Sequence, residues 1–428
     1  MDNTQKVDQV VESGGHMPSF LNKSVTENNM ILSKENRQMT ALSGSSGFGN
    51  QKPDFEVDIR SADLLDGSSL QLRGEIQTIG DYAANCNFCS SGYSMVDQIS
   101  IELNGQNYLI LNGDADVVAH LNRTLHSSNT QFENDNVLAL EGVNLTTKQS
   151  FCLDLSKYGS SLQQFIATAP VASLKIRIRF QTNLRRLFHG TDGGAGNDVD
   201  GYTISNLHLC ADFMTTDAGV KNALIKRMQN DKGVHMSTHS FIPQRTELRQ
   251  GATNHVLQNS FQYRNVVSMF YVPIVTSIAD ADTWNNISKT DIISNVSYTG
   301  GQLPTRMLVR MSGSNYVNQN SQVGCSTKAE HLTSMLKASM RTPEESNIGY
   351  NLCQGYKDNS YQTTGVSFVR GNDNLVDITN SGVNGYFSRG VLETSFDTSV
   401  AQVNKTMLAI GVITTVVSIE NGQVKIIR

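Results

Sequence analysis

The sequence predicts an all-β protein: two tandem jelly-roll sandwiches of about eight strands each, with short inter-strand helices and a flexible N-terminal arm. Three observations carry this. Past Phe55 the apolar residues recur with a period of two in short runs, the pattern of half-buried strands. Turn residues (Asn-Gly, Gly-Gly, Pro) separate the runs. The chain has 428 residues, which suits two domains of roughly 150–200 residues and exceeds one ordinary sandwich.

Residues 1–52 read as the arm. They are polar, lack sustained alternation and end in Ser43-Gly44-Ser45-Ser46-Gly47-Phe48-Gly49-Asn50. Ser24-Val25-Thr26-Glu27 has capping-box form before Met30, Ile31 and Leu32, which predicts a short helix there. The arm's charges cancel, with Lys6, Lys23, Lys34, Arg37 and Lys52 set against Asp2, Asp8, Glu12, Glu27 and Glu35. It is therefore not a basic genome-binding tail.

The first jelly roll is placed at 53–214. Phe55-Glu56-Val57-Asp58-Ile59 alternates apolar with acidic, and Leu70, Leu72 and Ile76 mark the next strand. Ile99 to Leu103 runs into Asn104-Gly105 and then Tyr108 to Leu111; both turn residues tolerate positive φ, which marks a type I′ hairpin. Ala115 to Leu121 reads as a short helix. The clearest strand is Leu174 to Phe180, with Leu174, Ile176, Ile178 and Phe180 on one face and Lys175, Arg177 and Arg179 on the other. That basic row reads as a solvated or subunit-facing side, not a nucleic-acid stripe. Thr203, Ser205, Leu207, Leu209, Ala211 and Phe213 are expected to share one face of a further strand.

A helical linker is placed at 215–234. From Asp217 to Gln229 the pattern turns helical, with Val220, Ala223, Leu224 and Met228 at helical spacing and Asp217 as N-cap. The second jelly roll is placed at 235–428. Strands are expected around Phe241, Val256 to Phe261 and Val266 to Val275, where Pro273 indicates an edge or a strand end. Others follow at Met307 to Met311, Val366 to Val369, Val391 to Phe396 and Met407 to Ile419, and Asn421-Gly422 turns into a closing hairpin. Tyr298, Gly300-Gly301 and Pro304 form a turn. Thr327-Lys328-Ala329-Glu330 caps a short helix carrying Leu332, Met335 and Leu336.

Composition narrows the function. Charged residues are 17% of the chain, below the usual ~25%, and neutral polar residues fill the gap. A net charge of −5 leaves no bulk positive field for gripping nucleic acid, so sequence-specific nucleic-acid binding is not expected. Six Cys are too few to staple a chain this long and read as reduced thiols. The triplets Asn122-Arg123-Thr124 and Asn144-Leu145-Thr146 match a glycosylation acceptor, but no signal-peptide pattern opens the sequence. Met407 to Ile419 is shorter than the ~20 apolar residues of a membrane helix and reads as a buried strand.

No catalytic set emerges, and no catalytic, cofactor-binding or metal residue is assigned. Cys86-Asn87-Phe88-Cys89 is half of a zinc spacing, with no second pair to complete it. His235 and His239 have zincin spacing without the Glu that would act as base. Gly190 to Asn197 is Gly-rich but lacks the Lys-Ser/Thr ending of a phosphate loop, and reads as a surface loop. Glu344-Glu345 sits beside Pro343 in a turn, where adjacent residues do not converge on one pocket. Trp284, in a polar loop, is a candidate interface anchor or tucks against its own domain.

The order of these elements resembles the double jelly-roll major capsid proteins of the adenovirus–tectivirus lineage and related Polinton-like viruses. In the first half the resemblance rests on Phe55-Glu56-Val57, on Asp66-Gly67-Ser68-Ser69-Leu70-Gln71-Leu72, and on Val96 to Gly105 with the helix after it. In the second it rests on Gly301-Gln302-Leu303-Pro304-Thr305-Arg306, the helix from Thr327, Ser381-Gly382-Val383, Leu392 to Phe396 and Ile419 to Val424. It spans roughly residues 53 to 428. The resemblance implies a homotrimer whose six sandwiches give a capsomer of pseudo-sixfold outline, tiling the icosahedral shell of a virion assembled inside a host cell. It also implies contacts with neighbouring capsomers, penton and minor capsid proteins, and an inner membrane if one underlies the shell. It brings no catalytic residue and no cofactor. Residues 189–201 and 312–326 become tower or contact loops. A tandem β-sandwich carbohydrate-binding or adhesion protein is the alternative reading, and a β-sandwich hydrolase the third.

Overall fold

The computed structural model describes residues 31–40, 47–48, 54–57, 62–80, 86–88, 91–126, 134, 137–159, 165–168, 173–182, 184–190, 201–229, 233–247, 252–260, 265–275, 306–311, 314–315, 338, 364–368, 383–384, 391–397, 405–421 and 423–427. The principal strands of the first half are β1 (Ile31–Thr40), β2 (Asp54–Val57), β3 (Leu64–Ile79), β4 (Val96–Leu103), β5 (Gln106–Asn112), β6 (Gln149–Asp154), β7 (Leu174–Phe180) and β8 (Gly201–Thr216). Those of the second are β9 (Val234–Glu247), β10 (Asn254–Ser260), β11 (Asn265–Val275), β12 (Arg306–Met311), β13 (Ser314–Asn315), β14 (Thr364–Ser367), β15 (Val391–Asp397) and β16 (Lys405–Glu420). Helix α1 spans Ala115–His126 and α2 spans Ala218–Gln229.

Strand order defines the fold. The first half pairs β1-β8-β3-β6 in one sheet and β2-β7-β4-β5 in the other; the second pairs β9-β16-β11-β14 and β10-β15-β12-β13. Counted within each half, both orders are 1-8-3-6 and 2-7-4-5. Consecutive strands repeatedly cross between the two sheets, which is the jelly roll of two interlocked Greek keys. The chain carries it twice, so the sequence reading of two tandem jelly rolls holds.

Local chemistry accounts for the elements. On β7, Leu174, Ile176, Ile178 and Phe180 are buried while Arg177 is exposed. Its basic row meets acids on β4, with Arg177 paired to Glu102 and Arg179 Nε 3.8 Å from Asp97. The predicted hairpin forms between β4 and β5, with φ of 48° at Asn104 and 76° at Gly105. Asp217 caps α2, its Oδ2 accepting from Gly219 N at 2.8 Å. Pro273 pairs with Met407 on one side, and among the described residues β14 runs alongside Ser268 to Tyr271 on the other. Pro273 thus sits inside β11, two residues before its end at Val275, and not at the edge or strand end expected of it.

Two further expectations are corrected. Residues 31–40 of the predicted arm form β1, joined to β8 from Ile31↔Thr216 to Thr40↔His208; Ile31 and Leu32 are extended, not helical, and Ser24 to Met30 lie outside the described residues. Charge on both sides of β1 hides the alternation, and the strand exists because β8 supplies its ladder. The shared face expected from Thr203 to Phe213 also breaks. Between Ser205 and His208, β8 advances three residues while β3 moves only from Glu75 to Arg73. This one-residue bulge, with Asn206 at φ 52°, reverses parity. Thr203 is exposed, whereas Leu207, Leu209, Ala211 and Phe213 are buried.

The two halves share one apolar cluster that includes Leu72 and Ile176, Val220 and Leu224 of α2, and Phe270, Leu408 and Ile410 of the second half. On β11 and β16, Val266–Val272 and Thr406–Ile413 are buried without interruption. Tyr271 Oη lies 2.5 Å from Thr394 on the facing sheet, so Tyr271 points into the sandwich. Phe270 and Val272, with their cross-strand neighbours Ile410 and Leu408, point out of it, toward α2 and the first half. A sheet covered on both faces reads as a continuous apolar run, which explains Met407 to Ile413.

Candidate assembly surfaces

Three surfaces merit description. The first is the seam between the sandwiches. Strand β5, the free edge of its sheet, lies against β9 and the closing strand Gln423–Ile427, and α2 lies against β16. After β5 the chain turns at Gly113 (φ 123°) and Asp114 (φ 55°), and the Asp114 carbonyl accepts from Val118 N at 3.1 Å to start α1. The buried Asp114 carboxylate receives the Arg245 guanidinium of β9 as a fork, Nε to Oδ2 at 2.7 Å and Nη2 to Oδ1. Beside it opens a cleft of about 440 Å³ lined by Ile110, Asn112, Phe241, Ile242 and Pro243.

The second is the loop end of the first sandwich. Cys86–Phe88 pairs with Phe188–Gly190, and Phe88 stacks on Phe188 with centroids 5.3 Å apart. Leu145 N donates to Cys86 O at 2.7 Å and Gly92 N to Ala139 O at 2.5 Å, tying three connections together. Beneath them Arg123, fully buried, donates to Glu141 Oε2 at 2.7 Å and Ser91 Oγ at 2.9 Å, with its guanidinium 5.7 Å from the Tyr93 ring centroid. Burial first, and then the Arg123 charge, push the neighbouring His120 down to about 3. Val137 and Leu138 stand exposed on this end, at 74% and 45%.

The third is the outer face of the first sandwich's six-stranded sheet. It presents Lys34, Asn36 and Gln38 of β1, Arg73 and Glu75 of β3, Ser150 of β6 and His208 of β8, all partly or fully exposed. Lys34 Nζ sits 2.7 Å from Asp212, Asn36 Nδ2 donates to Asp212 Oδ1 at 2.6 Å, and Lys148 Nζ sits 3.5 Å from Glu75.

The sequence candidates for chemistry do not converge. Cys86 is buried and its thiol is pushed up to about 12 by burial, which disfavours the thiolate a metal needs; Cys89 lies outside the described residues. His235 and His239 are four residues apart on β9, a span of about 13 Å in a strand, too long for one ion. Among the described residues no group of three or more His, Cys, Asp or Glu gathers as a metal set, and no helix is long and apolar enough to cross a membrane. Asn122 of the first glycosylation triplet is buried, its Nδ2 donating to Lys157 O at 2.9 Å. Residues 191–200, Trp284, 316–326 and Glu344-Glu345 lie outside the described residues, as does the capped helix from Thr327 to Leu336. Sequence reading missed Asp114, Arg245 and the pairing of buried Arg123 with half-buried Glu141. The turn Asn112-Gly113-Asp114 ahead of a helix was the one signal available for the first.

Fold and strand order define a double jelly roll. No family model and no curated protein matches the chain. Solved structures do. The chain is similar to a quasi-atomic model of the PBCV-1 virus capsid, with TM-score 0.59 and 9% identity over 92% of this chain and 96% of that one. It is similar to the Faustovirus major capsid protein, with TM-score 0.58 and 9% identity over 91% and 90%. It is also similar to the Sputnik virophage structure determined by cryo-EM, with TM-score 0.58 and 9% identity over 94% and 91%. The likeness covers both sandwiches and establishes the double jelly-roll fold.

Proposed function

We propose that this chain is a major capsid protein, a structural subunit that forms homotrimers of pseudo-hexagonal outline and tiles an icosahedral shell. The observation that carries this is the repeat of one strand order, 1-8-3-6 and 2-7-4-5, in two sandwiches joined by a short helix. A subunit with two equivalent sandwiches supplies a near-sixfold tile from three copies. Similar solved structures that include capsid proteins support the reading. A charge of −5 with no bulk positive field favours a shell that encloses a genome without gripping it. Neighbouring capsomers, penton and minor capsid proteins and an underlying membrane are the partners this role brings; catalysis is not part of it.

Light scattering and electron microscopy of the purified full chain test the proposal. Trimers with a hexagonal outline are expected. A stable monomer across the micromolar range overturns it, and a monomer that also binds a glycan array selects the carbohydrate-binding alternative.

A further inference from the structure

The first strand of each jelly roll stands at one place, the end of its 1-8-3-6 sheet, yet the two are held differently. In the second sandwich that strand is β9, and it is fixed to two other parts of the molecule. Its Arg245 forks onto Asp114 of the first sandwich. Its Gln244 amide brackets the backbone of Ser260 on the facing sheet, Nε2 donating to Ser260 O at 2.6 Å and Oε1 accepting from Ser260 N at 3.1 Å. Ser240 and Phe241 of β9 are buried.

In the first sandwich the counterpart is β1. None of its 10 residues is buried: Leu32 to Asn36, Gln38 and Thr40 are exposed, and Ile31, Arg37 and Met39 are half-buried. Apolar burial, the main force that holds a strand in a sandwich, therefore contributes little. Side-chain ties run to β8, the strand β1 pairs with. Lys34 Nζ sits 2.7 Å from Asp212, Asn36 Nδ2 donates to Asp212 Oδ1 at 2.6 Å, and the Arg37 guanidinium lies 4.7 Å from the Phe213 ring centroid. Exposed pairs of this kind are weak. The Arg37–Glu35 pair lies within β1, so it survives if the strand leaves. For its part, β8 keeps a second ladder without β1, paired to β3 from Gly201↔Ile79 to Met214↔Leu64. Its Leu209, Ala211 and Phe213 belong to the apolar core.

We infer that β1 is a latch, which unpairs from β8 and re-pairs as a unit while both sandwiches stay folded. Opening uncovers the β8 edge from His208 to Thr216 and parts Asp212 and Phe213 from their β1 partners. It exposes little apolar surface, so it occurs at a lower free energy than global unfolding. An uncovered edge of this length is a template for an added strand, so the closed latch also guards β8. The equivalent strand β9 cannot open without breaking both the seam fork and the Gln244 bracket. One sandwich is thus built with an edge that opens and closes, the other with an edge that is fixed.

Hydrogen exchange of the full chain, read by mass spectrometry, tests the latch. In the wild type the protected amides of residues 31–40 are expected to exchange about a hundredfold faster than those of 64–79, yet more slowly than an unfolded chain. Their rate should respond little to dilute urea, because the slope follows the surface exposed. Asp212→Ala removes the partner of Lys34 and Asn36; it should speed exchange in 31–40 by about fivefold and leave 64–79 unchanged. Gln38→Cys supplies a lock. Gln38 stands opposite Cys210, a free thiol, in the ladder, at a Cα spacing that a disulfide spans. Oxidised with diamide, this variant is expected to exchange about tenfold more slowly in 31–40, and dithiothreitol should restore the rate. Equal wild-type rates in 31–40 and 64–79 overturn the latch, as does exchange in 31–40 at the rate of an unfolded chain. A formed disulfide that leaves the 31–40 rate unchanged overturns it too.

Discussion

Arg245 of the second sandwich forks onto Asp114 of the first, Nε to Oδ2 at 2.7 Å with Nη2 on Oδ1. Asp114 is 6% exposed at its side chain and Arg245 52%, so the acid is the desolvated partner. Removing the arginine leaves a carboxylate buried without its counter-charge. Arg245→Ala is expected to cost about 2 kcal/mol and to increase protease cleavage near the seam. The double variant Asp114→Asn, Arg245→Ala should cost less than Arg245→Ala alone. Chemical denaturation with limited proteolysis checks both; additive losses would refute the coupling.

Asp63 pins the connecting helix to the first sandwich. Its carboxylate accepts from Thr216 N at 2.8 Å and Thr216 Oγ1 at 3.2 Å, and Lys221 Nζ of α2 sits 2.8 Å away. Burial raises its pKa, but the hydrogen bonds from Lys221 and Thr216 outweigh that and hold it below the ordinary value of 3.8. A depressed acid stabilises the fold above its unfolded pKa, and that contribution is lost as pH falls through the folded pKa. Asp63→Asn is thus expected to lower stability by about 2 kcal/mol at pH 7, and its gap to wild type is expected to narrow as pH falls below 3.8. Melting curves across pH measure the difference.

His120 works at milder acidity. Folded, it stays neutral down to about pH 3, held there by burial first and by the Arg123 charge second. The unfolded chain takes up a proton near the ordinary 6.5, so stability declines as pH falls from about 6.5 toward 3, by at most about 1.4 kcal/mol per pH unit. His239, pushed down to about 4 by burial, acts in the same direction. His120→Gln should flatten the slope between pH 6 and 4 by roughly half, leaving the His239 part. An unchanged slope in urea melts at pH 4, 5 and 6 would count against this assignment.

Gly233 begins the second sandwich at φ +58°. A Cβ there would meet the Glu420 Cγ and come within 2.7 Å of the Ile419 carbonyl oxygen. Backbone conformation and space both exclude a side chain. Gly233→Ala is expected to cost about 2–3 kcal/mol. Gly105→Ala, at φ +76° but with nothing within 4 Å, should cost about 1 kcal/mol. Equal losses in paired denaturation curves would remove the steric argument.

The sequence by itself determined the elements whose signals are local. Leu174 to Phe180 alternates because one sheet face is wet. Asn104-Gly105 turns because both residues accept positive φ. Asp217 starts α2 because its carboxylate caps a free N–H. Met407 to Ile419 declares a buried strand by its Val and Ile content. From these follow the all-β class, the two halves and the connecting helix. What depends on distant partners was decided only in the tertiary structure. Ile31 to Thr40 carries charge on both sides and becomes β1 because β8 offers an open ladder. The bulge at Asn206 reverses a face that sequence parity continues, because β3 advances one residue fewer. Asp114 and Arg245 are 131 positions apart and meet because two independently twisted sandwiches close on one seam. Strand order, which distinguishes a jelly roll from any other sandwich, is a set of such long-range pairings. Period and turn chemistry state that strands exist; only the folded sheets state which strands are neighbours.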